Sequence, residues 1–487
     1  MSALLAVDAT FWLPTFSSRL TRCLLMNAIF KLPKGCLALA RPDRGCQKLP
    51  RIELNHCIHY EPYSTRCLHQ SSRWTMPPKK PIASVNGKRK ATDDVPPSIK
   101  RAKPSDKLGD RAWYKESAQE EKHGIVLREF YPPEMTNERA KQYVAGNVER
   151  PIEGLEKAIA ETKQDREKVK IKGAVVHWFK CDLRTTDNKA LDLASKKAKI
   201  KGVPLIAMYL VSPQDFQAHL TSAVRVDFIL RTLDVLKADL AELDIPLYVE
   251  VVERRKAIPS RIMDLCEKWD ASHIVCNTEY EVDELRREAA LTRDCLKRGI
   301  AFTTVPDTCV VSPGELSSKG TGSQYAVYSP WFRAWCAYIN SHRTDLDEYS
   351  RPEKNPPSAK ERFKDLFECP IPEAPPNKQL SAEEKRRFLS MWPPGEHEAA
   401  QRLEKFINQR IKRYSETRNL PAGNGTAVLS VHLASGTLAA RTCIREARKA
   451  NTSTSMDSGN PSIQSWISEV AWRDFYKHVL AHWPFVW

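Results

Sequence analysis

A doubly wound α/β domain with a parallel five-stranded sheet, followed by an all-α domain, is the fold class this sequence predicts. Three observations predict it. Five short apolar runs alternate with helical patterns between residues 170 and 306. Strand-like runs cease after residue 395, and only helical patterns follow. The stretch before residue 170 is basic and reads as part of neither domain.

In chain order, residues 1–75 carry Arg19, Arg22, Arg41, Arg44, Arg51, Arg66 and Arg73 among Ser, Leu and Ala, with few acids. That composition suits a mitochondrial targeting leader; a leader that is not translated at all is the competing reading. Residues 76–169 open at a second methionine, Met76, and start as a Lys- and Pro-rich tail expected to be disordered. Two basic clusters, Lys88–Lys90 and Lys100–Lys103, resemble a bipartite nuclear import signal. The end of this extension, from Met135 to Lys170, reads as a pair of solvated helices.

From residue 170 the apolar runs are 171–180, 203–211, 245–252, 272–279 and 300–307. Each is followed or preceded by a helical pattern; in the second helix Ile229, Leu233, Leu236, Leu240 and Leu243 form one apolar stripe. Strands alternating with helices require crossovers, hence a parallel sheet covered on both faces. Such sheets take ligands beyond the carboxyl ends of their strands. Residues 307–395, Pro-rich and charged towards their end, read as an interdomain connector, and residues 396–487 as the start of the helical domain.

The formal net charge is +16 with 76 Lys and Arg against 60 Asp and Glu. An excess of this size suits a polyanionic partner, because cations placed on phosphates release counterions; solvated basic tails account for part of it. Five of the 13 cysteines fall in the first 75 residues, no pair stands at CxxC spacing and no Cys/His group has zinc-like spacing. Free thiols in a reducing compartment are therefore expected, and no metal. No apolar run is long and clean enough to span a bilayer.

Two segments of the helical domain carry chemistry. On a helix, Trp466, Glu469, Trp472, Arg473 and Tyr476 fall along one side, so a carboxylate is flanked by two indoles. A half-buried face with a Glu469–Arg473 pair at i, i+4 is the alternative. Earlier, Thr426 and Ser430 bracket a helix start, where hydroxyls and backbone N–H groups suit a diphosphate. An ordinary helix start, with Leu429 and Leu433 packed and Gly436 allowing a close approach, is the alternative there.

Taken with the first strand and its loop, VVHWFKCDLRTTDN, the stretch from Asn424 to Arg441 and the stretch from Ser468 to His478 resemble, in this order, the photolyase–cryptochrome family. The resemblance covers residues 171–487, and the intact pattern Glu469, Trp472, Arg473, Asp474, Phe475, Tyr476 points to the class I members that repair cyclobutane pyrimidine dimers in DNA. It implies that Glu469 and Trp472 contact the flipped-out dimer, by hydrogen bond and by stacking, as a base outside the helix requires. It implies FAD held by Tyr414, Thr426, Ala427, Val428, Leu429, Ser430, Trp466 and Arg473. Ala427 stands where many relatives have Ser. DNA contacts are implied for Arg418 and for Glu469, Val470, Ala471, Trp472, Arg473, Asp474, Phe475 and Tyr476.

By the same resemblance residues 170–306 are the antenna domain, whose chromophore passes excitation to the flavin. His219, Asp283 and Glu284 match the contacts of members that use 5,10-methenyltetrahydrofolate; acids in a first helical turn are the plain alternative for Asp283 and Glu284. The family's helical domain extends further than residue 487, so the chain is expected to be C-terminally incomplete and to hold FAD poorly. The implied function is light-driven repair by electron transfer from excited reduced FAD, without net redox change, by a monomer serving the nucleus and the mitochondrion. A cryptochrome-like photoreceptor is one alternative, which Trp472 argues against. An inactive module binding DNA or a chromophore is the other.

Overall fold

The computed structural model describes residues 136–318, 323–420, 423 and 425–486, all within one compact unit. The expected leader at 1–75, both basic clusters and Asn424 lie outside the described residues. Two helices come first, α1 (Asn137–Val144) and α2 (Pro151–Lys168). The α/β region follows as β1 (Ala174–Phe179), α3 (Lys189–Lys201), β2 (Leu205–Val211), α4 (Pro213–Ala218), α5 (Ala223–Ala241), β3 (Leu247–Val251), α6 (Ile258–Lys268), β4 (Ala271–Asn277), α7 (Val282–Lys297) and β5 (Ala301–Val305). The remaining helices that matter here are α8 (Tyr328–Ser341), α9 (Ala382–Met391), α10 (Glu396–Gln409), α11 (Tyr414–Thr417), α12 (Ser430–Ser435), α13 (Ala440–Ala450) and α14 (Pro461–His482).

All five strands are parallel, in the order β3-β2-β1-β4-β5, as the alternation of strands and helices requires. Successive side chains of a strand point to opposite faces. Ala174, Val176 and Trp178 of β1 therefore pack with Ile206, Met208, Ile274 and Phe302 against Ile262, Leu265 and Leu291 of α6 and α7. Val175 and Phe179 pack with Leu205, Ala207, Leu247 and Val249 against Leu191, Ala194, Ile229, Leu233 and Leu236 of α3 and α5. Burying each Leu, Ile or Val here contributes about 1.5–3 kcal/mol relative to exposure.

Two expectations are corrected. α2 is not solvated: Leu155 and Ala158 are buried and join Leu285 and Ala289 of α7 in a small core, whereas α1 faces solvent except at the buried Tyr143. Ala158 and Thr162, both small and one turn apart, let α2 lie close against its neighbour. Residues 307–395 are more than a connector. Val310, Val311 and Leu316 and the α8 residues Trp331 and Trp335 are buried in the same core as α10, α13 and α14.

At the carboxyl ends of β1 and β4, where strand order reverses, a buried hydrogen-bond network joins the loops. Asn277 donates to Asp182 at 2.6 Å and to Asn188 at 2.8 Å, and Asn188 Oδ1 also caps α3 by accepting from Leu191 N. The loop after β1 also docks the helical region. Arg184 donates to the Gly436 carbonyl at 3.0 Å and Leu183 N to the Ser435 carbonyl. Gly436 has φ +75°, and a Cβ there would run into the Cys181 carbonyl and Asp182 Cα. Around this contact Arg441 bridges Asp187 at 2.8 Å and Asp307 at 2.9 Å, and Arg445 reaches Asp187 at 3.0 Å. Burial works against the Asp187 charge, but Arg441, Thr442 and Arg445 outweigh it and hold the carboxyl below its usual range.

Candidate functional site

α14 is a 22-residue helix that starts on Asn460, whose side chain accepts from Ser462 N and Ile463 N, with Pro461 in the first turn. One face is core: Ile463, Ile467, Val470, Ala471, Asp474, Phe475 and His478 are buried. His478 offers Nε2 to the Val311 carbonyl at 2.8 Å and receives the Trp331 indole N–H at 3.3 Å. This network fits a neutral ring with the proton on Nε2. Asp474 has no exposed surface and accepts from Val310 N at 2.8 Å, Val311 N at 3.2 Å and Trp335 Nε1 at 3.3 Å. Burial outweighs those donors and Arg473, and pushes its carboxyl up to about 6. The expected DNA contacts of Val470, Ala471, Asp474 and Phe475 are therefore corrected: these side chains face the interior and leave no surface for a duplex.

The other face gathers the remaining residues of the motif. Glu469 forms an ion pair with Arg418, which also donates to Ser465 Oγ at 2.8 Å and lies over the Tyr414 ring at 5.5 Å. Residues from α11 and α14, about fifty positions apart in sequence, thus meet at one spot. Trp472, half-buried, lies flat on Tyr328, with ring centroids 3.6 Å apart and planes 9° apart. Tyr476 follows one turn later and is 45% exposed. Arg473 turns aside and donates to the Thr308 carbonyl at 2.6 Å. A carboxylate held by an arginine, beside a partly open indole, can both accept from and stack on a planar heterocycle.

Behind this face Tyr414 and Trp466 are buried around Phe406, at 5.8 Å edge-on and 5.3 Å respectively. Burial and the Glu469 carboxylate raise the Tyr414 phenol to about 12. The loop into α12 runs beside a cavity of about 490 Å³, lined by Ala427 and Val428 and by α10 residues including Arg402 and Lys405, with Arg410 just beyond the helix. Ala427 and Leu429 are buried, and Val428 has φ +52°. A β-branched residue in that region stores about 1–3 kcal/mol of strain. No side chain caps the start of α12, where Ser430 begins the helix after Leu429, while Thr426 is half-buried.

On the α/β region, His219 ends α4 and its Nε2 lies 2.8 Å from Glu284 Oε1 in the first turn of α7. Burial lowers the imidazole and Glu284 raises it; the carboxylate wins, so His219 sits above its ordinary value. Asp283 pairs with Arg255 at 2.9 Å, and Asp215 with Arg255 at 2.8 Å and Arg287 at 3.0 Å. Asp215, His219 and Glu284 bring ligand-type atoms within 4.8 Å, yet the two arginines already balance these acids. Glu284 Oε2 is buried with no hydrogen-bond partner among the described residues. The structure thus brings together His219, Asp283 and Glu284, and separately Tyr414, Arg418, Trp466, Glu469 and Trp472.

Sequence reasoning missed Tyr328, and it missed Arg184, Asp187, Asp307 and Arg441. The aromatic residues 328, 331, 332 and 335 stand at helical spacing, which was the available signal. The ion pairs join residues up to 254 positions apart and left no local trace. No helix among the described residues is long and apolar enough to cross a membrane.

Residues 175–353 match the family model described as DNA photolyase. A deoxyribodipyrimidine photo-lyase of Neurospora crassa is 54% identical over 408 residues, which cover 83% of this chain and 66% of that protein. The mitochondrial deoxyribodipyrimidine photo-lyase of Saccharomyces cerevisiae is 29% identical over 387 residues, covering 75% and 66%. Among solved structures, a class III photolyase from Agrobacterium tumefaciens shares the fold, with a TM-score of 0.52 at 23% identity over 64% of this chain and 60% of that one. The chain spans no more than 66% of the length of these relatives.

Proposed function

Because the chain belongs to the DNA photolyase family, we propose that the protein repairs cyclobutane pyrimidine dimers in DNA, using light and a bound FAD. One observation supports this above the others: Glu469, paired with Arg418, and the half-buried Trp472 share a face of α14 one turn apart. A dimer swung out of the duplex needs a flat apolar wall and a polar contact to its base edge. Trp472 offers the first and Glu469 the second. Arg418, beside them, supplies a cation for the backbone phosphate next to the lesion.

The residues present fit one flank of FAD. The cavity beside Ala427 and Val428 is bordered by Arg402, Lys405 and Arg410, with Glu398 paired to Arg402 at 2.6 Å and Glu404 also in the lining, so a modest cationic excess faces a diphosphate, and the start of α12 carries no side-chain cap. Thr426 and Ser430 would hold the phosphates there, and Tyr414 and Trp466 would keep water from the ring side, whereas Arg473 is engaged with the Thr308 carbonyl. When bound, the flavin absorbs the light and supplies the electron that opens the cyclobutane ring. In the α/β region, Glu284 Oε2 is a buried acceptor suited to a pterin N–H, which supports 5,10-methenyltetrahydrofolate as antenna beside His219 and Asp283. A mitochondrial form, in line with the name of the yeast relative, and a nuclear form are part of the same proposal.

The test is loss of a single thymine dimer from an oligonucleotide under near-UV or blue light. Repair that needs light and flavin supports the proposal. Flavin binding with no dimer loss points to a photoreceptor instead.

A further inference from the structure

We propose that Tyr328, the first residue of α8, is a positioning residue for lesion recognition; this rests on the reading of Trp472 as the wall on which the dimer stacks. Tyr328 lies along α14 for one full turn. At one end its hydroxyl donates to the Ser468 carbonyl at 2.8 Å and sits 2.8 Å from Ser468 Oγ. At the other, its ring is parallel to the Trp472 indole at 3.6 Å. Phe475 meets the same tyrosine edge-on at 5.5 Å, and Phe332 stacks behind it at 5.4 Å. Burial and the nearby Glu469 carboxylate raise the phenol well above its ordinary value, so the hydroxyl keeps its proton and stays a donor.

The physical consequence concerns the Trp472 rotamer. An indole on a helix surface has several staggered χ1 and χ2 wells. A parallel ring at van der Waals distance, itself pinned at Ser468, removes the alternatives on that side. A base then stacks on an indole already in its bound orientation, so no side-chain freedom is lost on binding. Tyr328 never touches the lesion; it acts through Trp472. The planar ring is the essential part, and the hydroxyl fixes its height along α14.

Affinity for a duplex with one thymine dimer, against the same duplex undamaged, is the measurement, taken in the dark with flavin content measured in parallel. Tyr328→Leu keeps the apolar volume but removes the flat face. We expect it to lower affinity for the dimer about tenfold, a fraction of the 1–3 kcal/mol range of base–aromatic stacking, with affinity for undamaged DNA unchanged. Tyr328→Phe keeps the face and should stay within about threefold of the original protein. Leu behaving like Phe would mean the ring only fills space and would overturn the proposal, as would loss in Tyr328→Phe equal to that in Tyr328→Leu. Trp472→Ala separates the two levels. If it binds the dimer normally, the lesion site itself is misplaced. If it loses the dimer and Tyr328→Leu does not, only the role of Tyr328 fails.

Discussion

Arg418, directly after α11, and Glu469 of α14 form an ion pair, with 17% and 13% of their side-chain surfaces accessible. The pair is sheltered enough to hold the carboxylate in place and open enough for a ligand to reach both groups. Arg418 holds the Glu469 carboxylate in place; under the proposed function the arginine turns to phosphate in the complex while the carboxylate meets a base.

Arg418→Ala should therefore weaken binding to damaged and undamaged DNA alike. Loss of one phosphate contact predicts a salt slope shallower by about one counterion. Titrations at several salt concentrations check this. An unchanged slope would show that Arg418 only orients Glu469.

Gly436→Ala should destabilise the protein by more than about 2 kcal/mol. The φ of +75° is costly for any residue with a Cβ, and that Cβ meets backbone of the loop after β1, which cannot swing aside. A urea unfolding midpoint equal to that of the original protein would refute the close approach of α12 to this loop.

Asp474 gives a pH dependence with a definite sign. Its carboxyl lies near 6 in the folded chain against 3.8 as reference, so the folded state binds this proton more tightly. Its contribution to stability is present at low pH and lost as pH rises from about 4 to about 6. Asp474→Asn removes that component. Relative to the original protein, the variant should gain about 2 kcal/mol on going from pH 4.5 to pH 8. Parallel stability profiles would show that the donors around Asp474 outweigh its burial.

The sheet was legible in the sequence because strands buried on both faces read as unbroken apolar runs, as in 171–180 and 203–211. The α14 face was legible because three- and four-residue spacing fixes which side chains share a side. Burial of Val470, Ala471, Asp474 and Phe475 was not, since a family motif does not say which of its positions face inward. Asp474 reads as a surface charge until Val310, Val311 and Trp335 are seen to donate to it. Packing of α2 was missed because Ala158 and Thr162 are small, and close helix contacts through small residues leave a weak apolar signal. Tyr328 was not legible because its segment, 307–395, reads as a connector in the sequence.

Under the proposed function Glu469 and Trp472 receive a pyrimidine dimer while other residues hold the flavin. Repair yield per absorbed photon, on a thymine-dimer oligonucleotide with flavin content measured in parallel, tests it most directly. Trp472→Ala should hold as much FAD as the original protein, bind the dimer about ten- to a hundredfold more weakly, and repair it poorly at matched flavin. Glu469→Ala should lose more in yield than in affinity, because its carboxylate contacts a base whose charge changes during the reaction. Binding and repair by Trp472→Ala at the level of the original protein would contradict the account and leave this face of α14 a structural one.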